Sequence, residues 1–181
     1  MNRYAAFLRG MNLGGRRITN DELCACFDAM GFAEVAAFLA SGNVVFTSDE
    51  VDPGALAATI EAGLESALGY PVPTYLRSAG DLREIAAREP FGDDELAASD
   101  GKPQVAMLAA APDDATRRAV LKHASAADRL AFHGRELHWL PAGRMTDSEL
   151  DLAAIEELVG AWTMRTVNTV RRLAKKYFTA D

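Results

Sequence analysis

The residues with the most chemical potential in this chain are Arg9, Arg16 and Arg17, set around three glycines in Arg9-Gly10-Met11-Asn12-Leu13-Gly14-Gly15-Arg16-Arg17. Glycine lets backbone N–H groups turn toward a ligand with no Cβ in the way, and a guanidinium offers paired donors to an oxyanion. The loop leads into a helix start signal, Thr19-Asn20-Asp21-Glu22, where unpaired N–H groups and the helix dipole favour negative charge. This chemistry suits a phosphate, a carboxylate or a nucleic-acid backbone. Asn12 either adds a side-chain donor or fixes the loop by bonding its own backbone. The loop lacks the closing Gly-Lys-Ser/Thr of a nucleotide-hydrolase phosphate loop and the spacing of a dinucleotide fingerprint. A plainer account is a wide strand-to-helix connection with glycines for its turns and arginines for solubility. Function is favoured, because loops carry sites more often than cores do.

A second polar cluster, Thr163, Arg165, Asn168 and Thr169, stands at the start of the last expected helix. It suits an anion, while ordinary capping by Thr166 or Thr163 explains it at least as well. Ser41-Gly42-Asn43 is a tight-turn signal in which Gly42 and Asn43 readily take positive φ, so structure alone accounts for it. His133, Glu136 and His138 flank the turn at Gly134-Arg135. Pairing Phe132 with Leu137 places Leu130, Phe132, Leu137 and Trp139 on one face and the two histidines with Glu136 on the other. That trio has the makings of a zinc site, but the water-facing side of a sheet is the stronger expectation, and no metal is assigned. Cys24 and Cys26 diverge on a helix and cannot share a metal. No Ser-His-Asp or Cys-His set assembles by spacing, so no catalytic residue and no cofactor can be named.

The chain has 181 residues and a formal net charge of −7, which argues against general affinity for nucleic acid. The charge is uneven. Residues 1–20 hold Arg3, Arg9, Arg16 and Arg17 and no acid, and residues 162–181 hold Arg165, Arg171, Arg172, Lys175 and Lys176 against Asp181 alone. Two basic ends either meet as a local positive patch, with Arg9 near Arg165, or remain separate and solvated. No apolar run has membrane-spanning length, no secretory signal pattern opens the chain, and two cysteines cannot build a disulfide framework. A cytoplasmic protein with no membrane association is the expectation.

The elements that would position these residues follow from caps and periodicity. Tyr4–Arg9 reads as a strand, and a Thr19/Glu22 capping box opens a helix that stops at Gly31. Strands follow at Val35–Leu39 and Val44–Phe46. Asp52-Pro53 opens a helix with apolar residues at 56, 60, 64 and 68, stopped by Gly69 before a strand at Val72–Leu76. The order is βαββαβ, the ferredoxin-like plan. A helix over Asp81–Arg88 and a loop from Pro90 to Lys102 come next. The plan then restarts: strand Val105–Ala109, a helix from Asp113 to about His123, a hairpin of Arg129–Phe132 with Glu136–Leu140, and a helix opened by a Thr146/Glu149 capping box. The last strand is weak, with Trp162-Thr163-Met164 as its candidate, and a basic helix over Asn168–Tyr177 closes the chain. The expected class is α+β: a ferredoxin-like half over 1–78, a helix and linker over 79–102, and a second ferredoxin-like half over 103–181 with antiparallel sheets throughout.

These residues resemble a known family. Arg9-Gly10-Met11-Asn12-Leu13-Gly14-Gly15 is similar to the R-G-[IM]-N-[VL]-G-G signature of the bacterial family called domain of unknown function 1697. Ser41-Gly42-Asn43-Val44-Val45-Phe46 is similar to its second signature, and Thr163-Met164-Arg165-Thr166-Val167-Asn168-Thr169 resembles a third, T-x-R-N-W-N-T. In the third, Thr166 and Val167 stand where the family usually has Asn and Trp. The resemblance implies a tandem ferredoxin-like fold, bacterial origin and no established activity.

The leading expectation is a cytoplasmic protein that binds a small anionic, phosphate- or nucleotide-like ligand through Arg9, Gly10, Asn12, Gly14, Gly15, Arg16 and Arg17, with Arg165, Asn168 and Thr169. Single-stranded nucleic acid stacked on Tyr4, Phe7 and Phe46 is the alternative, as is a protein–protein adaptor. A phosphoryl- or acyl-transfer enzyme is less favoured, since no nucleophile or base stands out. Whether the protein is an enzyme, and its oligomeric state, are not written in the sequence.

Overall fold

The computed structural model describes residues 1–12, 14–40 and 42–179; Leu13 and Ser41 of the two N-terminal motifs lie outside them. The chain divides into two compact units, one formed by Met1–Ile85 with the residues from Leu173 onward, the other by Ala86–Arg172. The division therefore falls ahead of the Pro90–Lys102 loop, which belongs wholly to the second unit.

In the first unit, β1 (Asn2–Leu8), α1 (Asn20–Ala29), β2 (Ala33–Ala37), β3 (Asn43–Ser48), α2 (Pro53–Leu68) and β4 (Thr74–Ser78) follow in order, then α3 (Ala79–Ala87). The sheet runs β2-β3-β1-β4, every neighbour antiparallel. Strand alternation sends Tyr4, Ala6, Leu8, Val44, Phe46 and Leu76 into one core with Leu23 and Phe27 of α1 and Leu56, Ile60 and Leu64 of α2. The Thr19/Glu22 capping box is formed, and Asp52 caps α2 ahead of Pro53. Gly69 ends α2 at φ 78°, where a residue without Cβ is favoured.

The second unit repeats the pattern with β5 (Gln104–Leu108), α5 (Asp114–Leu121), β6 (Asp128–His133), β7 (Glu136–Pro141), α6 (Leu152–Val159) and β8 (Trp162–Thr166). Its sheet runs β6-β7-β5-β8, again antiparallel throughout. Phe132 pairs with Leu137 as expected. Ala106, Leu108, Leu137 and Trp162 meet Val120 of α5 and Ile155 of α6 in its core. α7 (Val167–Tyr177) follows β8 directly and crosses the division between the units at Arg172/Leu173. Among the described residues, no helix is long and apolar enough to cross a membrane.

Four expectations are corrected. The Pro90–Lys102 loop contains a short helix, α4 (Asp93–Ala97), whose start is closed by Gly92 N donating to Glu95 Oε2 at 2.8 Å. The Thr146/Glu149 box does not form. Arg144 pairs with Asp147 across a 3-10 turn at Met145–Asp147, and Asp151 takes the cap by accepting from Ala154 N at 2.9 Å. Asn43 is a strand residue, not a turn residue; Gly42 takes positive φ as expected, at 70°, and Leu39 is the other positive-φ position of that connection, at 59°. Finally, the face bearing His133, Glu136 and His138 is not water-facing. Its neighbours Val105 and Met107, paired to His138 and Glu136, are fully buried, so this sheet is covered on both sides.

Candidate functional site

The glycine–arginine loop begins where β1 is still held on both flanks. Leu8 N donates to Gly42 O at 2.8 Å and Arg9 N to Pro73 O at 2.9 Å. Beyond that point Gly10, Asn12, Gly14 and Gly15 all take positive φ, from 56° to 84°. A Cβ on Gly10, Gly14 or Gly15 would meet nothing within 4 Å, so the glycines serve backbone conformation and leave open space beside it. Asn tolerates the left-handed region better than other side chains, and here it also closes the loop. Its Oδ1 accepts from Ile18 N at 3.0 Å, while its Nδ2 donates to Ala40 O at 3.3 Å. Of the two roles open to Asn12, the structure therefore gives it the structural one.

The first two sequence motifs meet through these bonds. Asn43 Nδ2 donates to Phe38 O at 2.9 Å, holding the second connection closed. A Cβ on Gly42 would lie 2.8 Å from Met11 Cγ and 3.1 Å from Leu8 Cβ, which ties this glycine to the first loop by close packing. Arg16 lies 4.0 Å over the Tyr70 ring, and Arg17 Nη1 donates to Asn12 O at 3.3 Å; both side chains are exposed. Among the described residues, nothing accepts from the backbone N–H of Gly14 or Gly15.

The helix start contributes less than its sequence suggests. Glu22 N donates to Thr19 Oγ1 and Thr19 N to Glu22 Oε2, so the capping box consumes donors that an anion would use. Those bonds from Thr19 hold the Glu22 carboxyl below its ordinary range, and its charge with that of Asp21 already complements the dipole. The donors left uncommitted in this segment are those of the loop itself.

The third motif lies in the second unit. Arg165 is half-buried: Nη1 donates to Thr163 Oγ1 at 2.8 Å and to Met164 O at 2.7 Å. Burial lowers its pKa to about 10, which leaves it charged at neutral pH. Thr166 Oγ1 accepts from Thr169 N at 3.1 Å and lies 2.9 Å from Thr169 Oγ1, so this pair caps α7. Thr is a favoured N-cap, and Thr166 serves that role here. Asn168 is exposed.

Register joins two clusters that sequence spacing kept apart. Arg165 pairs with Val105 and Val105 with His138; Thr163 pairs with Met107, Met107 with Glu136, and Glu136 with His133. One sheet face thus carries Thr163, Arg165, Glu136, His138 and His133. Arg88 Nη2 adds a 2.6 Å contact to His133 Nε2. His138 is 1% exposed, and neither ring nitrogen has a partner among the described residues. Burial first, then the nearby His133 and Arg88, lowers its pKa to about 4. Among the described residues, no three His, Cys, Asp or Glu side chains form a metal-binding group.

Sequence reasoning passed over Arg77, 1% exposed on β4. It pairs with Ala5 of β1 as Arg165 pairs with Val105 of β5, and its Nη1 donates to Leu76 O at 2.8 Å as Arg165 does to Met164 O. Ser78 and Asp81 then cap α3 as Thr166 and Thr169 cap α7. The legible signal was the repeat of apolar-Arg-hydroxyl before a helix, Leu76-Arg77-Ser78 and Met164-Arg165-Thr166. The nucleic-acid platform is not available. Tyr4, Phe7 and Phe46 are buried, and Tyr4 stacks on Phe46 at 5.9 Å inside the core.

Two four-stranded antiparallel sheets with seven α-helices among the described residues place the chain in the α+β class. The family described as Protein of unknown function (DUF1697) matches residues 1–138, and the chain belongs to it. The fold is similar to that of the conserved bacterial protein SP0830 from Streptococcus pneumoniae, at 19% identity and a TM-score of 0.72, covering 97% of this chain and 98% of that one. None of the curated proteins compared with the chain matches it.

Proposed function

We propose that the Gly10–Arg17 loop binds a small anionic ligand of phosphate or nucleotide type. The observation that carries this reading is four left-handed backbone positions in one short loop, with the exposed Arg16 and Arg17 beside them. Turns of this kind present backbone N–H groups as anion-binding concavities, and the adjacent guanidinium groups supply charge-assisted donors. Arg16 is partly pre-positioned by Tyr70, which reduces the ordering cost of binding. Each half is further read as ferredoxin-like, a reading supported by the βαββαβ order and by strand orders β2-β3-β1-β4 and β6-β7-β5-β8. A cytoplasmic setting accords with two free cysteines.

The test is a thermal-shift and calorimetric titration with inorganic phosphate, pyrophosphate, AMP, ATP and citrate. Arg16→Ala or Arg17→Ala is expected to weaken binding roughly ten- to a hundredfold, from the loss of one charge-assisted bond worth about 1.5–3 kcal/mol. Equal affinity in wild type and both variants would remove the loop from consideration. A short single-stranded oligonucleotide serves as a further arm. Its binding should fall steeply with salt, by about 0.7 log units per log unit of salt for each phosphate neutralised, whereas a small-ligand site responds far less.

A further inference from the structure

The second unit contains a cavity of about 450 Å³ between the start of β6, the end of β7 and the 3-10 turn. Asp128 forms part of its wall and is 5% exposed. Two donors converge on one of its oxygens: Trp139 Nε1 at 2.8 Å and Ser148 Oγ at 2.7 Å both reach Oδ1. Among the described residues no donor reaches Oδ2, which leaves it as the oxygen open to a ligand in the cavity that Asp128 lines. A buried carboxylate ordinarily has a cationic partner, yet both donors to Asp128 are neutral. Arg144, on the same wall, is already paired with Asp147 at 2.9 Å. Glu149 adds a second carboxylate at the rim, while Ala127, Pro141, Ala142 and Leu150 supply apolar wall.

We propose that this cavity is a binding site for a small aliphatic amine, with its ammonium on Asp128 Oδ2 and its methylenes on the apolar wall. A charge-assisted N–H···O bond to a carboxylate already fixed by two other donors needs little reorganisation of the protein. The volume lies within the ordinary range of small-ligand pockets. A bare metal ion fits less well, because no three metal-ligating side chains gather among the described residues. The site is independent of the anion-binding loop.

The experiment titrates wild type and Asp128→Asn with butylamine, putrescine and spermidine, with butanol and butyrate as neutral and anionic controls. The reporter is the Trp139 indole N–H resonance, which sits on the other oxygen of the same carboxylate. Asparagine keeps Oδ1 as the acceptor for Trp139 and Ser148 and replaces only the cavity-facing oxygen. At least a tenfold loss of amine affinity is expected, with the unfolding midpoint little changed and no shift caused by butyrate. Glu149→Gln, on an exposed side chain, provides a second variant that leaves the Asp128 network intact and is expected to weaken putrescine two- to fivefold. Amine affinity unchanged in both variants, or butyrate binding as well as butylamine, would overturn the proposal.

Discussion

Gly42→Val is expected to destabilise the protein by about 2–5 kcal/mol, measured as a lowered urea midpoint at constant m-value. Two costs add at this position. The backbone sits at φ 70°, a region in which a β-branched residue is a true outlier and any L-residue pays about 1–2 kcal/mol. The new Cβ would also lie 2.8 Å from Met11 Cγ and 3.1 Å from Leu8 Cβ, so both neighbours must shift in a packed core at a cost of about 1–3 kcal/mol. Gly14→Val separates the two costs. Its φ is 58°, but nothing lies within 4 Å of the added carbon, so only the backbone cost of about 1–2 kcal/mol is expected. Equal destabilisation by the two variants would show that the contact between the two N-terminal motifs contributes nothing.

Acid is expected to weaken the fold through His138, and His138→Leu to remove that part of the effect. In the unfolded chain the imidazole titrates near its ordinary value of 6.5; in the fold it titrates near about 4. A depressed folded pKa means that the stabilising difference is complete above about 6.5 and is lost as pH falls toward 4. Over that window the unfolded chain takes up a proton that the folded chain resists. The full loss is about 3 kcal/mol, at about 1.4 kcal/mol per pKa unit. Leucine cannot titrate and leaves no unpaired ring nitrogen beside the buried Val105 and Met107. The variant should therefore match or exceed wild-type stability at pH 7 and lose less of it by pH 4.5. Groups away from this face are common to both proteins, so the difference between the two urea-unfolding profiles reports His138 together with its coupling to His133. Parallel profiles would refute the assignment.

Local signals made much of the fold legible. The Thr19/Glu22 box, Asp52-Pro53, Gly69 and the Phe132–Leu137 register are each written within a few residues, and each recurs in the structure. The Thr146/Glu149 pattern was equally local and misled, because Asp147 and Ser148 are engaged by Arg144 and by Asp128, twenty positions before Ser148. Burial of His138 was illegible for a related reason. Alternation shows which residues share a face but not whether that face is covered. The loop around Gly10–Arg17 was visible as a glycine–arginine pattern, whereas the commitment of Asn12 to Ile18 and Ala40 needed the meeting of two connections. The Asp128 cavity had no local signature at all, since its walls come from segments that only the sheet brings together.

The passage of α7 from one unit into the other has a consequence for the order in which the protein is completed on the ribosome. Residues from Leu173 onward belong with Met1–Ile85, although all of Ala86–Arg172 is synthesised between them. Arg3 Nη1 donates to Tyr177 O at 3.0 Å, Phe38 meets the Tyr177 ring edge-on at 6.1 Å, and Leu173 and Phe178 are buried. None of these contacts is possible until the second unit has left the peptidyl-transferase centre. The unit made first is thus finished last, and through synthesis of the second it must persist without its closing helix. In nascent chains arrested before Leu173, Phe38 and the strand ahead of it should be open to protease, then become protected once residues up to Phe178 have emerged.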